Sequence, residues 1–433
     1  MSGVLRVCPD NPRYFTDDSG KAIYLTGSHT WNNLVDMGAD YPPRPFDFAA
    51  YLDFCRRDGY NFFRLWAWEL PRTACPLYPF RKRMDPFPWE RTGPGLDVCG
   101  LPKFDLLRFH QPYFDRLRQR VQAAGARGIF VCVMLFEGWC AQFVPDMTPH
   151  PFFGENNVSG VAFGEDPKSI HTLGNPRILA VQEAYVRKVV DTVKDLDNVL
   201  YETANEAGGF SAAWQFHMIR LVKECETGLP RRHPVGMTYH FQGGADSDLP
   251  ASGADWISPS AGANKEYWDD PPPADGRQVI VSDTDHLGGS GTGHRAWVWK
   301  SFTRGLCTLM MDRYLPPDSV TDKPYEKAEE IRRAMSHTAA FAKRMDLNRG
   351  VPRPELASTR FCLADAGREY LVYLPAGGGD ELTVDLSAAR GELKAEWFDP
   401  VSDTGHDAGT AAGGGKRIFR SPFPEDAVLY LRQ

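Results

Sequence analysis

The run VLYETANEAGG, Val199 to Gly209, ends an apolar, strand-like stretch in Asn205 and Glu206 and then in two glycines. A strand that finishes in a polar pair before a flexible turn is how a barrel enzyme presents reactive side chains at its rim. Further along, SDTDH places Asp283 and Asp285 two residues apart, on one face of a strand by the two-residue period, with His286 next. Such carboxyl groups suit glycosidic cleavage, which needs one protonated group to assist the leaving group and one ionised group to attack or to activate water. Glu206 is the candidate acid, set against an ordinary helix-start carboxylate because SAAW follows. The partner is Asp283 or Asp285. Repulsion between them raises the pKa of one, unless Arg64 or His286 relieves it. Asp283, nearer the barrel interior, is expected to be the better shielded, and Asp285 to be the rim group in contact with substrate. Either is alternatively a hydrogen-bonding strut, and Glu137 is a third contender. Asn205 points away from Glu206 on a regular strand, but a bend at the strand end lets Asn205 bond a sugar hydroxyl while Glu206 faces the bond.

Other candidate strand ends carry His29, Trp31, Arg64, Trp66, Trp68, Glu69, Trp139, Tyr239, His240 and Asp312. A purely structural rim does not need so many polar and aromatic groups. Trp66, Trp68, Trp139 and Trp268 offer indole faces on which sugar rings pack, although each singly is as well suited to the core. His29, His240 and His286 are candidates to orient a carboxylate or hydroxyl, or to be satisfied structural histidines. GGSGTGH resembles a phosphate loop, but Gly293, His294 and Arg295 stand where Gly-Lys-Ser/Thr is required, so it reads as a flexible rim loop. DTDH without HExxH or a paired His cluster gives no metal site, and no cofactor is expected.

The elements that must position these residues alternate β-type and helical runs from Ala22 to Arg313, the pattern of a parallel α/β architecture. Strands are expected at AIYLTGSHTW, NFFRLWAWE, IFVCVMLFEGW, NVLYETANE, PVGMTYHF, ADWISPS, QVIVSDTDH and LCTLMMDRY. Helices are expected between most of them, the one between the fifth and sixth strands being hard to see. Eight strands predict a (β/α)8 TIM barrel, class α/β. Between the second strand and about Phe104 lies a Pro- and aromatic-rich excursion too irregular for regular structure, which reads as a lid or site wall. After the helical stretch YEKAEEIRRAMSHTAAFAKRM the text turns to short alternating runs, TRFCLAD, EYLVYLP, ELTVDL, ELKAEWFDP, KRIFRSPF and AVLYLRQ, while GTAAGGGK reads as a loop. This predicts a barrel domain over 1–350 and a C-terminal antiparallel β-sandwich over 351–433.

Length and composition agree with two domains: 433 residues suit one large domain and a smaller one. A net charge of -7 offers no basic patch for a phosphate backbone, which argues against nucleic acid as a partner. The nine cysteines are odd in number and form no CxxC pair, favouring reduced thiols and a cytoplasmic setting, with a secreted or periplasmic protein whose leader has been removed as the alternative. No apolar run approaches the roughly 18 residues of a membrane span.

Taken together, GSHTWNN, GYNFFRLWAWE, LYETANE, SDTDHLGG with the following WVWKSF, and the terminal WFDPVSDTG resemble the apiosidase-like glycoside hydrolases, over nearly the whole chain from about Asn11. The resemblance implies a (β/α)8 domain related to the large retaining hydrolase clan, followed by a β-domain described for that family as collagen-binding. It aligns Asn205-Glu206 with the clan's acid/base position and Arg64 with an arginine near the nucleophile. It departs on the seventh strand, where the clan carries glutamate and this chain offers Asp283 or Asp285. The expectation is a hydrolase of plant or microbial oligosaccharides. A carbohydrate-binding protein that kept the barrel but not the chemistry is the alternative.

Overall fold

A computed structural model describes residues 1–73, 82–241, 243–262, 264–287, 294–312, 314 and 327–433. Eight parallel strands close into a barrel: β1 (Thr26–Thr30), β2 (Phe62–Leu65), β3 (Phe130–Glu137), β4 (Val199–Asn205), β5 (Val235–Thr238), β6 (Trp256–Ser258), β7 (Val279–Asp283) and β8 (Cys307–Met311), with β8 pairing back on β1. Every residue of β3, β4 and β8 is buried, on the outside by helices and on the inside by the opposite strands. Strands covered on both faces read as near-continuous apolar runs, which is why they stand out in the sequence. The expected barrel is the observed one.

The flanking helices are α1 (Phe48–Arg57), α2 (Gln111–Gly125), α3 (Pro176–Val193), α4 (Ala212–Cys225), α5 (Arg295–Thr303) and α6 (Ala328–Arg344). Their ends follow from local chemistry. The Asn175 side chain accepts from Ile178 N–H ahead of Pro176, and Asp47 does the same for Ala50 at the start of α1. Between β5 and β6 the helix among the described residues is a single turn, Asp248–Ala251, so the helix that is hard to see in the sequence is four residues long.

The excursion after β2 is more regular than expected. Its described residues include a hairpin, Trp89–Leu96 with Pro102–Phe109, and the short strand Lys82–Asp85, which pairs with Arg72–Thr73 on one side and with Asp36–Gly38 on the other. The Pro and Gly residues that suggest irregularity sit in a two-stranded edge ribbon, where register shifts tolerate them. Its turn is an Asx turn, with Asp97 Oδ1 accepting from Cys99 and Leu101 N–H. Of the glycine-rich run read as a rim loop, residues 288–293 lie outside the described residues.

The C-terminal strands are β9 (Cys362–Asp365), β10 (Glu369–Leu374), β11 (Glu381–Asp385), β12 (Glu392–Asp399), β13 (Thr404–Ala412), β14 (Lys416–Arg420) and β15 (Ala427–Arg432). They form a six-stranded antiparallel sheet, which includes Val351–Pro352, and the pair β11–β14. β13 corrects the reading of GTAAGGGK as loop: Gly409–Ala412 belong to a strand, and the turn begins at Gly413. That strand is mostly exposed, so it shows no hydrophobic alternation to find. The large sheet packs on the barrel through α5 and α6. Trp299 stacks on Tyr373 with ring centroids 6.1 Å apart, and Phe341 meets Phe398 and Tyr430. Arg295 Nε bonds Asp426 at 2.9 Å beside them.

Candidate active site

Arg64 on β2 is 1% exposed and organises the barrel mouth. Its Nε and Nη2 donate to the two carboxylate oxygens of Glu202 on β4, at 2.7 and 2.5 Å. Nη2 also donates to Asn205 Oδ1 at 2.7 Å, and Nη1 reaches Asp283 Oδ2 at 3.1 Å and Asp285 Oδ2 at 3.5 Å. Burial works against a charge here, but Glu202 and Asp283 beside it keep the guanidinium firmly protonated.

Asp283 ends β7 as a fully engaged group. Its Oδ1 lies 3.3 Å from His29 Nε2 and accepts from Asp285 N–H at 3.0 Å, while Oδ2 takes the arginine. Burial alone would raise its pKa; His29, His286 and Arg64 outweigh that and hold it well below the usual carboxylate range. Asp285 lies beyond the strand, in the following turn, and its side chain keeps 11% exposure. Burial and the charge of Asp283 push it up to about 6 despite His29 and Arg64. The two aspartates therefore titrate apart, one raised and one lowered.

At the end of β4 the strand period breaks. Alternation would turn Asn205 to the side opposite Glu202, yet both accept from Arg64. Asn205 Oδ1 also lies 3.1 Å from His286 Nε2, and His286 Nδ1 lies 2.8 Å from Ser258 Oγ. Burial lowers His286 to about 3, so the imidazole is neutral. An amide oxygen only accepts, so Nε2 carries the proton and Nδ1 accepts from the serine. With Oδ1 spent twice, the Asn205 amide nitrogen is left to donate to a ligand.

Glu206 follows with φ +49°, the left-handed region that costs an L-residue about 1–2 kcal/mol. Gln142, from the single turn Cys140–Phe143 after β3, holds it there by donating from Nε2 to Glu206 O at 2.5 Å. The two glycines of the run now have a reason. A Cβ on Gly208 would stand 2.5 Å from Gln142 Oε1, and one on Gly209 would stand 2.1 Å from Gly243 O. The Glu206 carboxyl is 8% exposed as a residue and carries no side-chain hydrogen bond among the described residues. Burial, then Asp285, then Glu137 push its pKa well above the carboxylate range, with Arg64 opposing.

Glu137, at the end of β3, is pushed up to about 8 by burial and by Glu69. Glu69 goes the other way, down to about 2: burial would raise it, but His171, whose Nε2 stands 2.9 Å away, and His150 outweigh that.

The aromatic candidates divide. Trp66 is buried against the stacked ring of His29 (5.2 Å, 9°) and beneath Arg64, so it forms wall rather than platform. Trp31 and Trp68 are half-buried, joined by Trp68 Nε1 donating to Trp31 O at 2.6 Å. Trp139 and Tyr239 are half-buried too, and the Tyr239 hydroxyl feels Glu206 and Asp285, which add to burial in raising it. Trp268 donates to Leu287 O, next to His286, and is set against His294 and Trp297. His240 follows Tyr239 past the end of β5, buried against Gly244 and engaged by Asp248 at 3.4 Å. Asp312 is likewise spent, in a bidentate pair with Arg332.

Sequence reasoning missed Glu202, Ser258 and Gln142. Glu202 had a signal: a glutamate in the middle of an apolar strand is almost never fully buried without a partner. Ser258 and Gln142 had none, since each acts through a neighbour far along the chain.

No family model matches the chain, and no curated protein matches it. Among solved structures it is similar to a protein described as a glycoside hydrolase, with TM-score 0.65 at 15% identity, covering 100% of this chain and 97% of that one. It is similar also to a glycoside hydrolase family 5 protein from Bacteroides vulgatus ATCC 8482, with TM-score 0.67 at 13% identity, covering 100% of this chain and 94% of that one. At such identities the likeness is one of fold, and it extends over barrel and sandwich together.

Proposed function

We propose that the chain is a glycoside hydrolase of the apiosidase-like kind, acting on a plant or microbial oligosaccharide, with Glu206 as general acid and Asp285 as the second catalytic carboxylate. The observation that carries this reading is geometric: Glu206, turned left-handed after β4 with its carbonyl held by Gln142 and its carboxyl unbonded among the described residues, and Asp285, in the turn after β7 within reach of Arg64 and partly exposed. Burial raises both, Glu206 well above the carboxylate range and Asp285 to about 6, which leaves Asp285 the more readily ionised of the two. Protonated Glu206 delivers its proton to the glycosidic oxygen as the bond breaks. Ionised Asp285 attacks the anomeric carbon or takes a proton from the attacking water. Asp283 is the positioning group. It holds Arg64 and His29 and, through its bond from Asp285 N–H, the turn that carries Asp285. The Asn205 amide nitrogen donates to a hydroxyl of the sugar being cleaved, its orientation fixed by His286 and Ser258. Glu137, protonated at neutral pH, is a further donor in the same mouth.

A second reading, sugar binding without cleavage, draws on one feature: the strand-end aspartate of β7 is wholly occupied by His29 and Arg64. One experiment separates the two. Release of reducing sugar is measured over a panel of aryl glycosides and plant oligosaccharides for wild type, Glu206→Gln, Asp285→Asn and Asp283→Asn. The hydrolase reading expects turnover that falls by about 10²-fold or more in the first two variants, the scale of a lost acid or base. Wild-type protein that binds a panel sugar yet releases none leaves the binding reading standing.

A further inference from the structure

Three loops meet beside Glu206: the turn after β3, the segment after β4 and the segment after β5. Gln142 ties the first to the second through Glu206 O, and the second touches the third where Gly209 lies against Gly243. Together they carry five aromatic rings that the barrel does not bury. Trp139 lies 5.6 Å from Phe143, Phe143 lies 5.0 Å from Phe241 at 75°, and Phe241 lies 5.8 Å from Tyr239 at 71°. Tyr239 meets His286 at 6.0 Å, the imidazole that orients Asn205. Phe210, 39% exposed, stands four residues after Glu206, its ring against Gly208.

We propose that this row is the leaving-group site and that it takes a flat, apolar aglycone, an aryl or phenolic group, in preference to a second sugar. The inference rests on the reading of Glu206 as the acid, because the group that protonates the departing oxygen must stand on the leaving-group side of the bond. Two features choose the chemistry. Rings meeting edge to face leave faces and edges that accept another aromatic ring in the same manner. And of the five rings only Trp139 and Tyr239 carry a polar atom, while Gln142 Nε2 is already given to Glu206 O and Lys168 sits over the outer ring, Phe210, so the several hydroxyls of a sugar would lose more water than they find partners, which is costly.

The test measures binding, so that leaving-group reactivity does not enter. Calorimetric Kd values are taken on Glu206→Gln protein for the benzyl glycoside, the methyl glycoside and a disaccharide of the sugar that the aryl-glycoside panel releases, or of each panel sugar if none is released. The expected order is benzyl tighter than methyl by about 10-fold, the scale of one or two ring contacts, with the disaccharide no tighter than methyl. Phe143→Ala and Phe241→Ala, each added separately, should remove most of the benzyl advantage and leave the methyl glycoside unchanged. Equal benzyl and methyl affinities, or a disaccharide that binds more tightly than the benzyl glycoside, overturn the proposal even if the wild type hydrolyses glycosides. A benzyl preference in a protein that cleaves nothing upholds the aglycone site while the hydrolase reading falls.

Discussion

Replacing Gln142 by alanine tests whether the backbone of Glu206, and not only its carboxyl, is part of the machinery. Glu206 sits at φ +49° with its carbonyl held by Gln142 Nε2 at 2.5 Å. The left-handed conformation costs about 1–2 kcal/mol, and a hydrogen bond of this type contributes about 0.5–1.5 kcal/mol net. Without the bond the strained conformer is less populated by roughly the factor that energy represents, about 2- to 12-fold. The carboxyl then points correctly in a correspondingly smaller fraction of molecules. Steady-state kinetics on the best panel substrate should show kcat down by about 3- to 10-fold with KM within a factor of two, because Asn205 and Arg64 keep their partners. Gly208→Ala should give the same signature by a different atom, since its Cβ would stand 2.5 Å from Gln142 Oε1 and displace the amide. A Gln142→Ala protein with wild-type kcat and wild-type melting temperature refutes the argument. So does a loss confined to KM.

The rate profile against pH should be bell-shaped. Activity rises as Asp285 ionises through about 6 and falls on the alkaline side as Glu206, raised by burial and by Asp285 and Glu137, loses its proton; a kcat/KM profile flat from pH 5 to 9 would sink the assignment. Glu137→Gln should relieve a pH-dependent loss of stability. The folded pKa of about 8 exceeds the unfolded value near 4.5, so between those values the native state holds a proton the unfolded state lacks, and stability drops as pH rises. Thermal unfolding of the variant should therefore lose less between pH 5 and 8 than that of the wild type. Glu202→Gln removes the bidentate partner of a buried arginine and should destabilise by about 3–5 kcal/mol, read from denaturant unfolding. A change below about 1 kcal/mol would mean that Asp283 and Asp285 suffice to balance Arg64.

The barrel was legible because its signal is local and repeated. Strands covered on both faces read as apolar runs, and helix starts such as Asn175-Pro176 announce themselves. The edge elements were not. The hairpin from Trp89 to Phe109 is rich in Pro and Gly, and β13 is exposed along most of its length, so neither shows the alternation by which strands are found.

At the site the limit was range rather than signal strength. Asn205 and Glu206 could be read from the strand end they occupy, but their settings depend on residues far away in sequence. Glu202 is recognisable as half of an ion pair only once Arg64 is known to stand across the barrel, and Gln142 matters only because the chain after β4 turns left-handed beneath it. Tyr239 and His240 lie past the last residue of β5, so the strand period does not decide between them; Tyr239 is placed in the mouth by its nearness to Glu206 and Asp285. Nor does the period place Asp283 and Asp285 together, since β7 ends at Asp283, and it cannot say which is free to react. That is decided by partners: the aspartate within the strand takes His29, Arg64 and a backbone N–H, and the one past its end keeps a weak hold on Arg64 and a face to the mouth. Of the two, Asp285 is therefore the carboxyl that a molecule in the barrel mouth can reach.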